Sequence, residues 1–118
     1  MRHNKHKNKL GMDPAHRKAL IRNLSISLIE HGKIKSTNSR CKALRGHIER
    51  LITIAKVDTI ANRRLVFSRI NNRAAVKKLF TDVAPKFKGR PGGYTRINKL
   101  ADGRVGDNAK VSYISFVE

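Results

Sequence analysis

The sequence predicts an α+β fold: a two-layer α/β domain in which helices cover one face of a small mixed sheet of about three strands. Three observations carry that prediction. Apolar residues recur at helical spacing from about residue 14 to residue 83, the last quarter of the chain turns to short β-branched and aromatic runs, and a Gly-rich stretch separates the two regimes. The expected order is α-β-α-α-α-β-β, preceded by an extended basic arm.

Residues 1–12 hold cations, His and Asn without apolar periodicity, so this arm cannot bury enough surface to fold alone and is expected to order on a partner. Residues 13–118 are expected to form the single domain. Its first helix starts at Asp13-Pro14, with Asp as N-cap and Pro in the first turn. Leu20, Ile21, Leu24 and Leu28 follow at helical spacing, and the helix should stop near His31-Gly32.

Ile34 sits in a short extended segment, after which Thr37 or Asn38 can cap a second helix. Leu44, Ile48, Leu51, Ile52 and Ala55 form its apolar stripe, the clearest helical signal in the chain. Gly46 interrupts that helix at about 1 kcal/mol relative to Ala, and a close backbone approach is one reason for such a glycine. Asp58 can cap a third helix through Leu65, Val66 and Ile70. Asn71-Asn72 breaks it, and Val76, Leu79, Phe80 and Val83 mark a fourth helix ending at Pro85. Residues 86–93 read as a loop, 94–100 and 111–117 as strands, and 101–108, with Gly103 and Gly106, as their connection.

Charge narrows the function. Lys and Arg number 27 against 8 acids, a net charge of +19, so an isolated globule of this size repels itself unless a polyanion neutralises it. Acids are missing between Glu30 and Glu49, between Asp58 and Asp82, and between Asp82 and Asp102, whereas solubility patterning would intersperse both signs. Nucleic acid is the expected partner. A membrane is not expected, because no apolar run approaches the roughly 18 residues a spanning helix needs and the basic stretches do not form one amphipathic face. The charged N-terminus lacks the apolar segment of a signal peptide, and a lone cysteine, Cys41, fits a reducing compartment, so a cytoplasmic protein is expected.

Catalysis and metal binding find little support. His3 and His6 lie in the arm, and His16 and His31 fall at opposite ends of one helix, about 22 Å apart at the helical rise. Neither pair has ligand spacing, and the carboxylates are scattered where a two-metal nuclease would gather them. Cys41 reads as a small buried hydrophobe. Among the basic segments, Gly89-Arg90-Pro91-Gly92-Gly93-Tyr94-Thr95-Arg96 stands out: glycines let backbone amides approach a phosphate, and Arg90 and Arg96 supply bidentate donors. The same residues also make an ordinary turn before a strand, and no strand-to-helix context supports a P-loop. With four Phe, two Tyr and no Trp, an aromatic stacking platform is not expected, so specificity would come from RNA shape and 2′-hydroxyls.

Met1-Arg2-His3, Lys9-Leu10-Gly11, His16-Arg17, Arg22-Asn23-Leu24, Asn62-Arg63-Arg64, Lys78-Leu79-Phe80, Gly92-Gly93-Tyr94-Thr95-Arg96-Ile97 and Gly106-Asp107-Asn108-Ala109 recur in order along the chain. Together they resemble the bacterial family of large-subunit ribosomal protein seventeen. The resemblance implies a non-enzymatic constituent of the large (50S) ribosomal subunit with no cofactor. It implies a protein that binds 23S ribosomal RNA near the polypeptide exit tunnel, beside neighbouring large-subunit proteins. It carries RNA contact over to Arg2, Lys5, Lys7, Lys9, Arg17, Arg22, Arg63, Arg64, Arg90 and Arg96, with His3, Gly92 and Gly93 completing the expected set. The chain departs from the family pattern at Arg40-Cys41-Lys42-Ala43, Gly46 and Gly32. The rival reading is a nucleoid-type DNA-binding protein, which would need a recognition helix or a dimer, and no helix-turn-helix spacing is evident.

Overall fold

The computed structural model describes residues 10–117, so Arg2, His3, Lys5, Lys7 and Lys9 of the expected contact set lie outside the described residues. Helix α1 spans Pro14–His31. Asp13 caps it by accepting the His16 amide at 2.8 Å, and Gly32 closes it in the left-handed conformation at φ 77°, its amide bonded to the Leu28 carbonyl. A residue with a side chain is strained there, which accounts for glycine at this position.

Only the C-terminal half of α1 reaches the core, through Ser25, Leu28 and Ile29. Leu20, Ile21 and Leu24 are half-buried, so the first two turns project beyond the core.

Strand β1 covers Lys33–Thr37 and leads into helix α2, Asn38–Ala55. Thr37 holds the N-cap position without a side-chain hydrogen bond, and the Asn38 side chain instead accepts from Ser112 Oγ at 3.0 Å. The expected apolar stripe is buried in full and extends to Cys41. Burial raises the Cys41 thiol above its ordinary pKa, so it packs as a hydrophobe, with Sγ 3.7 Å from the Ser112 carbonyl oxygen.

Helix α3 spans Ile60–Ile70, and its cap is Thr59, which accepts the Asn62 amide, in place of the expected Asp58. Asp58 is turned to Arg63. Asn71, left-handed at φ 52°, ends α3, and Asn72 caps α4, Arg73–Lys78, by accepting the Ala75 amide. The helical path does not stop at Pro85. It widens into a π turn over Leu79–Val83 and tightens into a 3₁₀ turn over Ala84–Phe87. Pro85 lacks an N–H and clashes with a regular preceding turn, so a change of helical pitch accommodates it where α-helix cannot.

Strands β2, Thr95–Lys99, and β3, Val111–Phe116, complete the sheet in the order β1-β3-β2. The expected mixed sheet is not observed: both pairings are antiparallel. The hairpin inserts β3 between β1 and β2, so the two strands that run the same way never become neighbours.

Ile34, Ile114 and Ile97 lie in register across the sheet and face the helices, joining the core built on Leu28, Leu44, Ile48, Leu51, Ile70 and Leu79. The hairpin connection is ordered by Asp107, which pairs with Arg104 through both oxygens and accepts the Ala109 amide at 3.0 Å. A Cβ on Gly103 would lie 2.6 Å from the Asn108 carbonyl oxygen, so this turn tolerates no side chain at that position.

Candidate nucleic-acid interface

Where α1 projects beyond the core, it leaves a groove against α2 and α3. Arg17, Lys18 and Ile21 line it from α1, Gly46, His47 and Arg50 from α2, and Ser68 and Arg69 from α3, around about 740 Å³. A second hollow of about 460 Å³ shares Gly46, Arg50 and Arg69 and continues to Gly92 and Tyr94 of the Gly-rich segment. The two form one channel over the exposed side of α2, with Gly46 midway.

Gly46 has φ in the ordinary helical range, and a Cβ built on it meets no protein atom within 4 Å. The close approach expected from sequence is therefore not made by another part of the described protein. The missing side chain instead leaves the floor of the channel low.

Electrostatically the channel is one-sided. Of the 27 Lys and Arg, 23 fall within the described residues, the other four being Arg2, Lys5, Lys7 and Lys9. Among the described residues only Arg63 and Arg104 are ion-paired to carboxylates. Arg17, Lys18, Arg50 and Arg69 have no such partner there. Burial, and then the nearby Arg69 and Arg50 charges, push the His47 pKa below its ordinary value. Ser25 Oγ donates to the Ile21 carbonyl at 2.8 Å and lies in hydrogen-bond contact with His47 Nδ1 at 2.9 Å.

Among the described residues the one carboxylate lining the channel, Glu49, is engaged. Its Oε2 accepts from the Thr95 amide at 3.1 Å and the Thr95 hydroxyl at 2.7 Å. Beside it, Lys56 Nζ donates to the Tyr94 hydroxyl at 3.0 Å and to the Arg90 carbonyl at 2.6 Å. Tyr94 itself is buried against Phe87 at 5.3 Å between ring centroids. Gly93 takes φ 64°, the left-handed turn that lets the chain leave the loop for β2. The Gly-rich segment is thus fastened to α2, and its glycines serve a turn at the channel mouth.

The sequence-predicted residues separate into groups. Arg17 and Gly92 line the channel, and Arg22, whose Nε donates to the Arg69 carbonyl at 3.3 Å, borders it. Arg64, Arg90 and Gly93 are exposed, Arg64 lying one turn before Ser68 on α3. Arg96 is elsewhere, on the face of the sheet that points away from the helices. Arg63 is already engaged within the chain: its guanidinium forms a two-bond pair with Asp58, at 2.6 and 2.8 Å, and lies 5.0 Å from the Phe80 ring.

The contact set expected from sequence leaves out Lys18, His47, Arg50 and Arg69. The available signal was Gly46 itself, with Arg50 one turn further along the same helical face.

Among the described residues no three His, Cys, Asp or Glu side chains gather as a metal site, and no helix is long and apolar enough to cross a membrane. The family model described as ribosomal protein L17 matches residues 20–117, from the second turn of α1 to the end of the sheet. Its members are structural proteins rather than enzymes. A match over that share of the chain, on a basic α+β fold, places the protein plainly: it belongs to the ribosomal protein L17 family, structural constituents of the large ribosomal subunit.

Proposed function

We propose that this large-subunit protein binds 23S ribosomal RNA through the α1/α2/α3 channel, the adjoining Gly-rich loop and the basic arm. Residues 1–12 act as that arm and 13–118 as the single RNA-binding domain. In this reading the protein is cytoplasmic and ribosome-bound, packed beside neighbouring large-subunit proteins near the polypeptide exit tunnel, as the family resemblance implies.

The observation that carries the reading is the channel's composition. Arg17, Lys18, Arg50 and Arg69 converge without carboxylate partners among the described residues, and the floor between them is a helical glycine. Gly46 costs about 1 kcal/mol in an exposed helix, and no neighbouring atom of the described residues accounts for it. A phosphate backbone lying in the channel does account for it, since it gains from both the cations and the low floor. Contacts of this kind position a protein on RNA without reading sequence.

The test compares binding of the full chain to 23S ribosomal RNA and to duplex DNA at one salt concentration. Tighter binding to the ribosomal RNA is expected. Tighter binding to DNA would favour the nucleoid-type alternative.

A further inference from the structure

Among the described residues the helices cover one face of the sheet and no element covers the other. Side chains alternate between the faces of a strand, so the register assigns every position. Ile34, Ile114 and Ile97 point to the core. The rows on either side of them, Lys33–Ser115–Arg96 and Lys35–Tyr113–Asn98, therefore point outward. Lys33, Lys35, Arg96 and Asn98 are exposed and Tyr113 is half-buried on the central strand. No Asp or Glu lies on any of the three strands.

On this face the Lys33 ammonium sits over the Tyr113 ring, 4.4 Å from its centroid, so a base takes that ring face as Lys33 swings aside toward the phosphate. Next to this pair is a hollow of about 500 Å³, with Lys33 and Gly32 on one side, Arg96 and Asn98 on the other, and Ser115 between them. An aromatic ring beside unpaired cations is the combination that holds a nucleotide of single-stranded nucleic acid: a π face for the base and charge for the phosphate. Bases inside a duplex present no face for stacking, so an unpaired nucleotide is the fitting ligand.

We infer that the open face of the sheet seats one unpaired RNA nucleotide, its base against Tyr113 and its phosphate between Lys33 and Arg96 above Ser115. The inference rests on the RNA-binding reading and adds a second, separate site: the channel grips RNA on the helical side, and the sheet takes a flipped-out nucleotide on the opposite side. It gives Arg96, which the channel leaves aside, a role.

The test uses the full chain with two probes, a short unstructured RNA oligonucleotide and an RNA duplex. Tyr113→Thr keeps a strand-forming residue but removes the ring, and it should weaken oligonucleotide binding by roughly tenfold or more while leaving duplex binding unchanged. Tyr113→Phe should retain oligonucleotide affinity.

A measurement of tyrosine emission needs only the conservative variant. The chain has no Trp and two Tyr, and because Tyr94, although 1% exposed, lines the channel, the share of the oligonucleotide quenching that Tyr113→Phe removes is what reports Tyr113. Tyr113→Phe should remove most of the quenching without abolishing binding. Oligonucleotide affinity unaltered by Tyr113→Thr, binding without quenching, or quenching that Tyr113→Phe leaves unaltered would overturn the inference while the channel reading stands. Failure of both probes to bind the unaltered protein would overturn the RNA-binding reading and this inference with it.

Discussion

Glu49 accepts two hydrogen bonds from Thr95, one from its backbone amide and one from its hydroxyl, through a single carboxylate oxygen. The contact fastens the start of β2 to the middle of α2 and, at the same stroke, occupies the one acid among the described residues that lines the basic channel. Glu49→Ala removes the acceptor and leaves the part-buried Thr95 amide without it. A loss of about 2 kcal/mol is expected in chemical denaturation, with Glu49→Gln losing less because its amide oxygen still accepts. A loss within a few tenths of a kcal/mol would show that the contact is incidental.

Gly46 separates stability from function. Among the described residues a Cβ there meets no atom of another segment within 4 Å, so Gly46→Ala should stabilise the folded protein by about 0.5–1 kcal/mol through helix propensity. Larger side chains raise the channel floor, and Gly46→Leu should weaken binding to 23S ribosomal RNA while the fold keeps its melting temperature. The two readouts are thermal unfolding and filter binding. Equal RNA affinity for Gly46→Leu and the unaltered chain would remove RNA from the channel.

His47 carries a pH signature. Its folded-state pKa lies below the ordinary 6.5, so any stability tied to its neutral form is complete above pH 6.5 and declines as pH falls below that value. Burial is the largest cause, followed by the charges of Arg69 and Arg50. Phosphates seated on those two arginines offset their repulsion, which raises the His47 pKa in the complex. The complex then binds more protons than the free protein, and His47 adds to RNA affinity as pH drops. NMR titration of the His47 ring with and without RNA checks this, the expected result being a higher midpoint in the complex. Identical midpoints would place the phosphates elsewhere.

The hairpin connection is a structural element and not part of the RNA surface proposed here. Gly103→Ala brings a methyl group 2.6 Å from the Asn108 carbonyl oxygen, so the turn must shift. A destabilisation on the order of 1–3 kcal/mol is expected in thermal unfolding, with RNA affinity unchanged once the protein is folded. An unaltered melting temperature would show that the turn gives way freely.

Much of the fold is legible in the sequence because its signals are local. The Asp13-Pro14 start, the Gly32 stop, the α2 stripe and the Asn71-Asn72 break each depend on neighbours along the chain. What stays hidden depends on competition between side chains for one partner or on contacts between distant segments. Thr59 takes the cap from Asp58 because Arg63 claims the carboxylate, and β3 inserts between β1 and β2, which removes the parallel pair a mixed sheet would contain.

The candidate site follows the same division. The excess of cations and the Gly-rich loop are visible in the sequence, whereas the convergence of Arg17 with Arg50 and Arg69 requires three helices to be placed first. Tyr113 reads as one more strand residue until the register puts it between Lys35 and Asn98 on the open face.

The central claim is that unpaired cations of the channel neutralise RNA phosphates, and salt dependence reads it most directly. If about ten cations of the whole chain meet phosphates, the logarithm of the affinity for 23S ribosomal RNA should fall with the logarithm of salt at a slope of roughly −7 to −9. Replacing Arg50 and Arg69 together by Gln should reduce the magnitude of that slope by about 1.4–1.8. A slope near zero, or one that the double replacement leaves unaltered, would contradict the account.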